Sequence, residues 1–425
     1  MYILDKLDNG IHVAMEKVDY LNSVTLGVVI ECGSIRENET NNGVSHFIEH
    51  MLFKGTKSRT SKEIAEAIDN VGGQINAFTG KEQTAYYIKV LDDHLNIAID
   101  VLSDMFLNSL FLDGEIEKEK NVIMEEINMY QDSPEDLVYE LLNEIMFKKT
   151  PLEYPILGID SSIINLNKDK ILKYFYENYN PEDIIISIVG KFDEKKVISQ
   201  LNNTFGKFNI GNSTKDVSNI ITYNFTNNIK GINKNFEQLN LCIGMNGVNS
   251  MSDDIYPILI LNNIFGGSMS SKLFQRLRED EGLVYDIDSH MTAYKDIGIF
   301  TIYAGLNSEN LIKSIKLIDE EIRKIKKSLI TKDELSRSKD QLKGNYILAM
   351  ESTFNRMMEI GKSTSQFHRI ETIEEVIKKI DNVKMDDIER VVNHIFQNDS
   401  FNIAYVGELD EQETVEEEIK EILFG

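Results

Sequence analysis

Cysteine is scarce: Cys32 and Cys242 are the only two in 425 residues. Each lies in an apolar, strand-like run, so two buried free thiols are expected and the fold does not depend on oxidation. Two thiolates cannot build a thiolate zinc site on their own. Proline is also rare, five in all, and there is no long Gly/Ser tract, which excludes extensive disorder. No apolar run reaches the length of a membrane span. The opening MYILDKLDNG lacks a basic region followed by an apolar core, so neither a signal peptide nor a membrane partner is expected, and a cytoplasmic protein is. Basic residues are outnumbered, 45 Lys and Arg against 70 Asp and Glu, for a formal charge of −25. That disfavours nucleic acid and anionic membranes, both polyanions. Solvation of surface helices explains most of this acidity, and attraction of basic substrates is its functional reading.

What is present describes a soluble globular chain, 42% hydrophobic and 27% charged, too long for one ordinary core. Heavy use of Lys, Asn and Ile hints at an AT-rich, bacterial genome. In the first half, Ile11–Met15 and Ser23–Cys32 read as strands. Asn41 and Asn42 are N-cap candidates for a helix running through Phe53. Ser61–Val71 reads as a helix closed by Gly72-Gly73. Gln74–Thr79 and Thr84–Val90 read as paired strands around Gly80. Leu95–Ser109 and Asp113–Tyr130 are amphipathic helices, and Pro134 starts another. A helix at Lys168–Tyr179 and a strand at Ile184–Gly190 close this half. Residues 206–235, rich in Asn, Thr, Ser and Lys, read as a linker.

The second half repeats this order, with Gln238–Met245 as a strand, Asp253–Phe265 as a helix, and long helices at Ser308–Lys327 and Leu335–Ser352. Its closing FNIAYVGELDE parallels IIISIVGKFDE in the first half. The expectation is a duplicated α+β domain, 1–205 and 236–425, each half a mixed, mostly antiparallel sheet with helices on a face, related by a pseudo-two-fold.

The chain has only seven histidines, and two of them fall in NGVSHFIEHMLFKGT (Asn42–Thr56). His46 and His50, four apart, share one helix face about a turn apart. Two neutral imidazoles so placed supply half of a tetrahedral zinc site. Glu49 lies near the same face, where a carboxylate can take a proton from metal-activated water. The flanking Phe47, Ile48, Met51, Leu52 and Phe53 bury this helix, and burying three ionisable groups without partners is costly. A third ligand must come from elsewhere. Glu119 and Glu126 border the apolar stripe of the Asp113–Tyr130 helix, but Glu115, Glu117 and Glu125 compete, and the residues alone leave this open.

HFIEHMLFKGT, with Glu126 76 residues beyond His50, resembles the pitrilysin/insulinase family of zinc peptidases. Within the family it is most similar to the mitochondrial processing peptidase β-subunit and its two-domain bacterial relatives. The likeness continues through GGQINAFTGKEQTAYY, EKEKNVIMEEI and PILG. It implies one zinc per chain on His46, His50 and Glu126, with Glu49 as general base and Glu119 as an acidic neighbour of the metal. It also implies that Asn76, Ala77, Phe78 and Thr79 lie on an edge strand that docks extended peptides. FGGSMSSKLFQRLREDEGLVYDI places Arg278 and Tyr285 on the family's arginine–tyrosine pair, donors toward a peptide carbonyl and a developing oxyanion. From the residues alone these two read as a surface Arg and a core Tyr. The second half has no HxxEH, so one metal site is expected. The resemblance further implies an endopeptidase acting on unfolded peptides and association of two chains as a homodimer. The competing classes are a catalytically silent scaffold or partner-dependent subunit of the same fold, and a zinc hydrolase of non-peptide amides.

Overall fold

The computed structural model describes residues 1–208, 226–397 and 399–424. Most of the expected linker, 209–225, lies outside the described residues, and its end forms a strand. The first sheet has six strands: β1 (Tyr2–Lys6), β2 (His12–Lys17), β3 (Ser23–Ile30), β4 (Gln74–Thr79), β5 (Thr84–Leu91) and β6 (Ile184–Gly190). Their order is β1-β2-β6-β3-β5-β4. Only the β2/β6 pair is parallel. The second sheet contains β7 (Asn228–Asn233), β8 (Leu239–Asn246), β9 (Val284–Ala293), β10 (Gly298–Leu306) and β11 (Asn402–Gly407), in the order β7-β11-β8-β10-β9. Here only β7/β11 is parallel. The orders correspond strand for strand from β2 and β7 onward, as a duplicated α+β unit requires. In both, the closing strand inserts between two earlier ones: β6 between β2 and β3, and β11 between β7 and β8.

Helices were expected on one face of each sheet; they cover both. On β3, Val24, Leu26, Val28 and Ile30 point into the main core. The alternate residues face the helix Thr353–Phe367 instead. Thr25 donates a hydrogen bond to Thr353 at 2.7 Å. Gly27 lies so close to Met357 that a Cβ would sit 2.2 Å from its sulfur. Arg356 pairs with Glu16 of β2 at 2.6 Å. This is why β3 reads as an almost unbroken apolar run: a strand buried on both faces loses its alternation. In the second sheet, Leu239, Leu241, Ile243 and Met245 face one core. Gly244, on the other face, would place a Cβ 2.3 Å from Met146 of helix α5 (Pro134–Met146).

The compact units therefore are not continuous in sequence. One comprises the described residues of Met1–Ile127, Tyr154–Val217 and Ile347–Thr372; the other takes the rest, including α5. The second-half helix expected at Leu335–Ser352 runs from Lys332 to Ala349, and a further helix that was not anticipated, Thr353–Phe367, follows it and joins the first unit. Among the described residues no helix is long and apolar enough to cross a membrane. Cys32 and Cys242 are both free and buried.

Candidate metal centre

The HxxEH helix is α1 (Val44–Leu52). Its N-cap is Gly43 and not an asparagine: Gly43 has φ +88°, and a Cβ there would lie 2.6 Å from the Leu157 carbonyl. Only glycine tolerates both constraints. The first-turn amides are satisfied from a distance. The Glu37 carboxylate accepts from Gly43 N–H at 2.6 Å and Ser45 N–H at 2.7 Å, and from the Asn42 amide at 3.0 Å. Glu37 is buried, and burial pushes its carboxyl up to about 7 against the opposing pull of these bonds. The Ser45 and Tyr174 hydroxyls bond at 2.9 Å on the same turn.

From this start, α1 carries His46 and His50 on one face. Their Nε2 atoms stand 3.1 Å apart, and Glu126 Oε2, from helix α4 (Asp113–Gln131), lies 3.7 and 3.8 Å from them. A tetrahedral zinc with bonds of about 2.0–2.1 Å holds its donor atoms about 3.3–3.5 Å apart, so the three atoms fit such an ion to within a few tenths of an ångström. Among the described residues this is the one group of His, Cys, Asp and Glu that could hold a metal. The donor chemistry agrees. His46 is 6% exposed, and burial, aided by the neighbouring His50, lowers its pKa to about 3, so it stays neutral. His50 Nδ1 bonds Glu119 Oε1 at 2.7 Å, which leaves Nε2 free to act as a donor. Glu119 is 2% exposed. Burial alone would raise its pKa, but His50 and Lys54, the latter at 2.6 Å, outweigh that and hold it low.

Glu49 is half-buried on α1 beside this cluster. Desolvation raises its pKa, with Glu126 adding to the effect, while the Thr79 hydroxyl and His50 oppose it. The Thr79 side chain donates to Glu49 Oε2. Thr79 ends β4, the sheet edge, whose partner is β5 in a register running from Gln74↔Lys89 to Thr79↔Thr84. Asn76, Ala77 and Phe78 precede it on the same strand, and the Asn76 side chain accepts from Ala77 N–H.

Arg278 and Tyr285 belong to the second unit. Tyr285 is 52% exposed, not a core residue. It is the second residue of β9, left without a partner on β10 where the register shifts between Asp286 and Val284, and its hydroxyl donates to Asn307 at 3.3 Å. Arg278 stacks over Phe274 and lies 3.6 Å from Asp286. Three contributors were missed by sequence reasoning. Lys54 carried a signal, since it stands four residues after His50 on the same face. Glu37 and the Thr79–Glu49 bond carried none.

Comparison with known proteins accords with this architecture. Residues 12–160 match the family profile described as insulinase (peptidase family M16), and residues 165–342 match the one described as peptidase M16 inactive domain. The chain belongs to the insulinase family, peptidase family M16. It is 39% identical over 393 residues to a protein named uncharacterized zinc protease YmxG in Bacillus subtilis, covering 92% of this chain and 95% of that one. It is 37% identical over 396 residues to an uncharacterized zinc protease of Rickettsia felis, covering 93% and 95%. A protease from Helicobacter pylori shares the fold, with a TM-score of 0.90 at 21% identity over 96% of this chain and 99% of that one.

Proposed function

We propose that the protein is a zinc-dependent metalloendopeptidase that cleaves extended or unfolded peptides. The observation that carries this is the His46–His50–Glu126 donor triangle, of zinc dimensions, with Glu49 beside it on the same helix. A zinc ion held by these three residues would polarise the scissile carbonyl and lower the pKa of the attacking water. Glu49 takes the proton from that water and delivers it to the leaving amine nitrogen. The raised pKa of Glu49 suits a group that must both accept and release a proton. Glu119 holds His50 in the tautomer that offers Nε2. The edge position of β4 supports docking of an extended peptide by main-chain pairing along Asn76–Thr79. Arg278 and Tyr285 are assigned as donors toward the substrate, and their exposure supports that role. A cytoplasmic location and a homodimer complete the proposal.

The test is zinc content together with cleavage of an unstructured basic peptide, wild type beside His50→Ala and Glu49→Gln. About one zinc per chain is expected in wild type and in Glu49→Gln, with cleavage only in wild type, and both zinc and cleavage lost in His50→Ala. Unchanged cleavage by Glu49→Gln sinks the assignment. A zinc-free, inactive wild type favours the silent scaffold or partner-dependent subunit.

A further inference from the structure

The bond between Thr79 and Glu49 joins the edge strand to the carboxylate beside the metal cluster. Among the described residues, Thr79 is the one hydrogen-bond donor to Glu49. A half-buried carboxylate with a single donor depends on it for orientation, because nothing else selects the rotamer by a directional contact. The bond engages Oε2 and leaves Oε1 free. That division suits a base, which needs one oxygen anchored and one available for a proton. Thr79 also closes the β4/β5 ladder opposite Thr84, so its backbone is fixed and its hydroxyl is delivered from a rigid position.

We propose that the side chain of Thr79 positions Glu49 and does not itself contact the substrate, whatever its main chain shares with its neighbours on β4. The inference rests on the peptidase reading above and deepens it. The strand then has two separable tasks. Its main chain docks the peptide, and its last side chain aims the base.

The experiment compares Thr79→Val, which keeps the β-branch and removes the hydroxyl, with Thr79→Ser, which restores a donor. Each is measured for kcat, KM, zinc stoichiometry and thermal midpoint as the intact chain. Thr79→Val is expected to lose about tenfold to a hundredfold in kcat, the scale of a misaimed catalytic group. KM, zinc content and thermal midpoint should stay near wild type, and Thr79→Ser should recover most of the loss. A raised KM with unchanged kcat overturns the inference in favour of a substrate contact. So does an equal fall in thermal midpoint or zinc content in both variants, which marks a structural role. A second readout does not need catalysis. In crystal structures, Glu49 should hold one rotamer in wild type and leave it in Thr79→Val; an unmoved Glu49 overturns the inference. Failure of the peptidase reading is recognised separately, by Glu49→Gln cleaving as fast as wild type.

Discussion

Glu119 offers the sharpest test of how the centre is tuned. Its carboxylate is 2% exposed and divides itself between two partners: Oε1 to His50 Nδ1 at 2.7 Å and Oε2 to Lys54 at 2.6 Å. In Glu119→Ala, His50 loses the acceptor that fixes its proton on Nδ1. The ring can then carry its proton on Nε2, the atom that faces His46, and that proton must be displaced before a metal binds. The lost negative charge also lowers the basicity of the ring. Such outer partners are worth about tenfold to a hundredfold in metal affinity, or roughly 1.4–2.8 kcal/mol. Glu119→Gln keeps an acceptor without the charge, so it should fall nearer the lower bound. The assay is competition for zinc with a chromophoric chelator near neutral pH, which reads the metal without catalysis. Thermal midpoints of the metal-free proteins control for the loss of the Lys54 pair. If both variants bind zinc as tightly as wild type, the hydrogen bond does not tune His50 and the reasoning fails.

Two further perturbations probe the start of α1. Burial places the Glu37 carboxyl at about 7, up from about 4.5 in an unfolded chain. Between those values the unfolded chain has released this proton and the native state has not. Glu37's contribution is therefore full below about 4.5, falls as pH rises toward 7, and is flat above. Urea unfolding across that window should show a steeper decline in wild type than in Glu37→Gln; parallel pH profiles refute the assignment. Gly43→Ala combines φ +88° with a Cβ 2.6 Å from the Leu157 carbonyl and 2.7 Å from Gly158 Cα, both backbone atoms that cannot turn aside. A loss of about 1–3 kcal/mol or more in urea stability is expected, and a variant as stable as wild type contradicts the strain.

The helix periodicity and HxxEH spacing made α1 legible, because i,i+4 spacing on a helix dictates a shared face whatever surrounds it. Glu126 was only one of several acidic candidates on α4, since choosing among them needs the rotation of one helix against another. Gly43 was hidden behind two asparagines, which are good caps by propensity. The cap that forms is decided by the close approach of residues 157 and 158, more than a hundred residues away. The Thr353–Phe367 helix was not anticipated, because no glycine or proline sets it off from the helix before it. Its burial against β3, β6 and β2 was written instead in the small residues Gly27 and Gly361. Gly361 would place a Cβ 2.7 Å from Ser187 of β6. Tyr285 shows the reverse error: an aromatic in a strand was read as core, but a register shift in the β9/β10 pair leaves it unpaired and exposed.

The exchange of α5 and the Thr353–Phe367 helix sets a timetable for synthesis. The chain leaves the ribosome from its N-terminus, and domains generally fold as they emerge. The sheet that carries α1 has its last strand by Gly190, but the helix that closes its second face follows only after residue 352. Until then Ala14, Ile185 and Val189, which end up packed with Met357 and Ile360, face water as an open apolar surface. The nascent first half is thus held in an unfinished state while most of the second half is made. Translation pauses or chaperone contacts within that interval should govern yield, and truncation before Phe367 should give insoluble protein even with every HxxEH residue present.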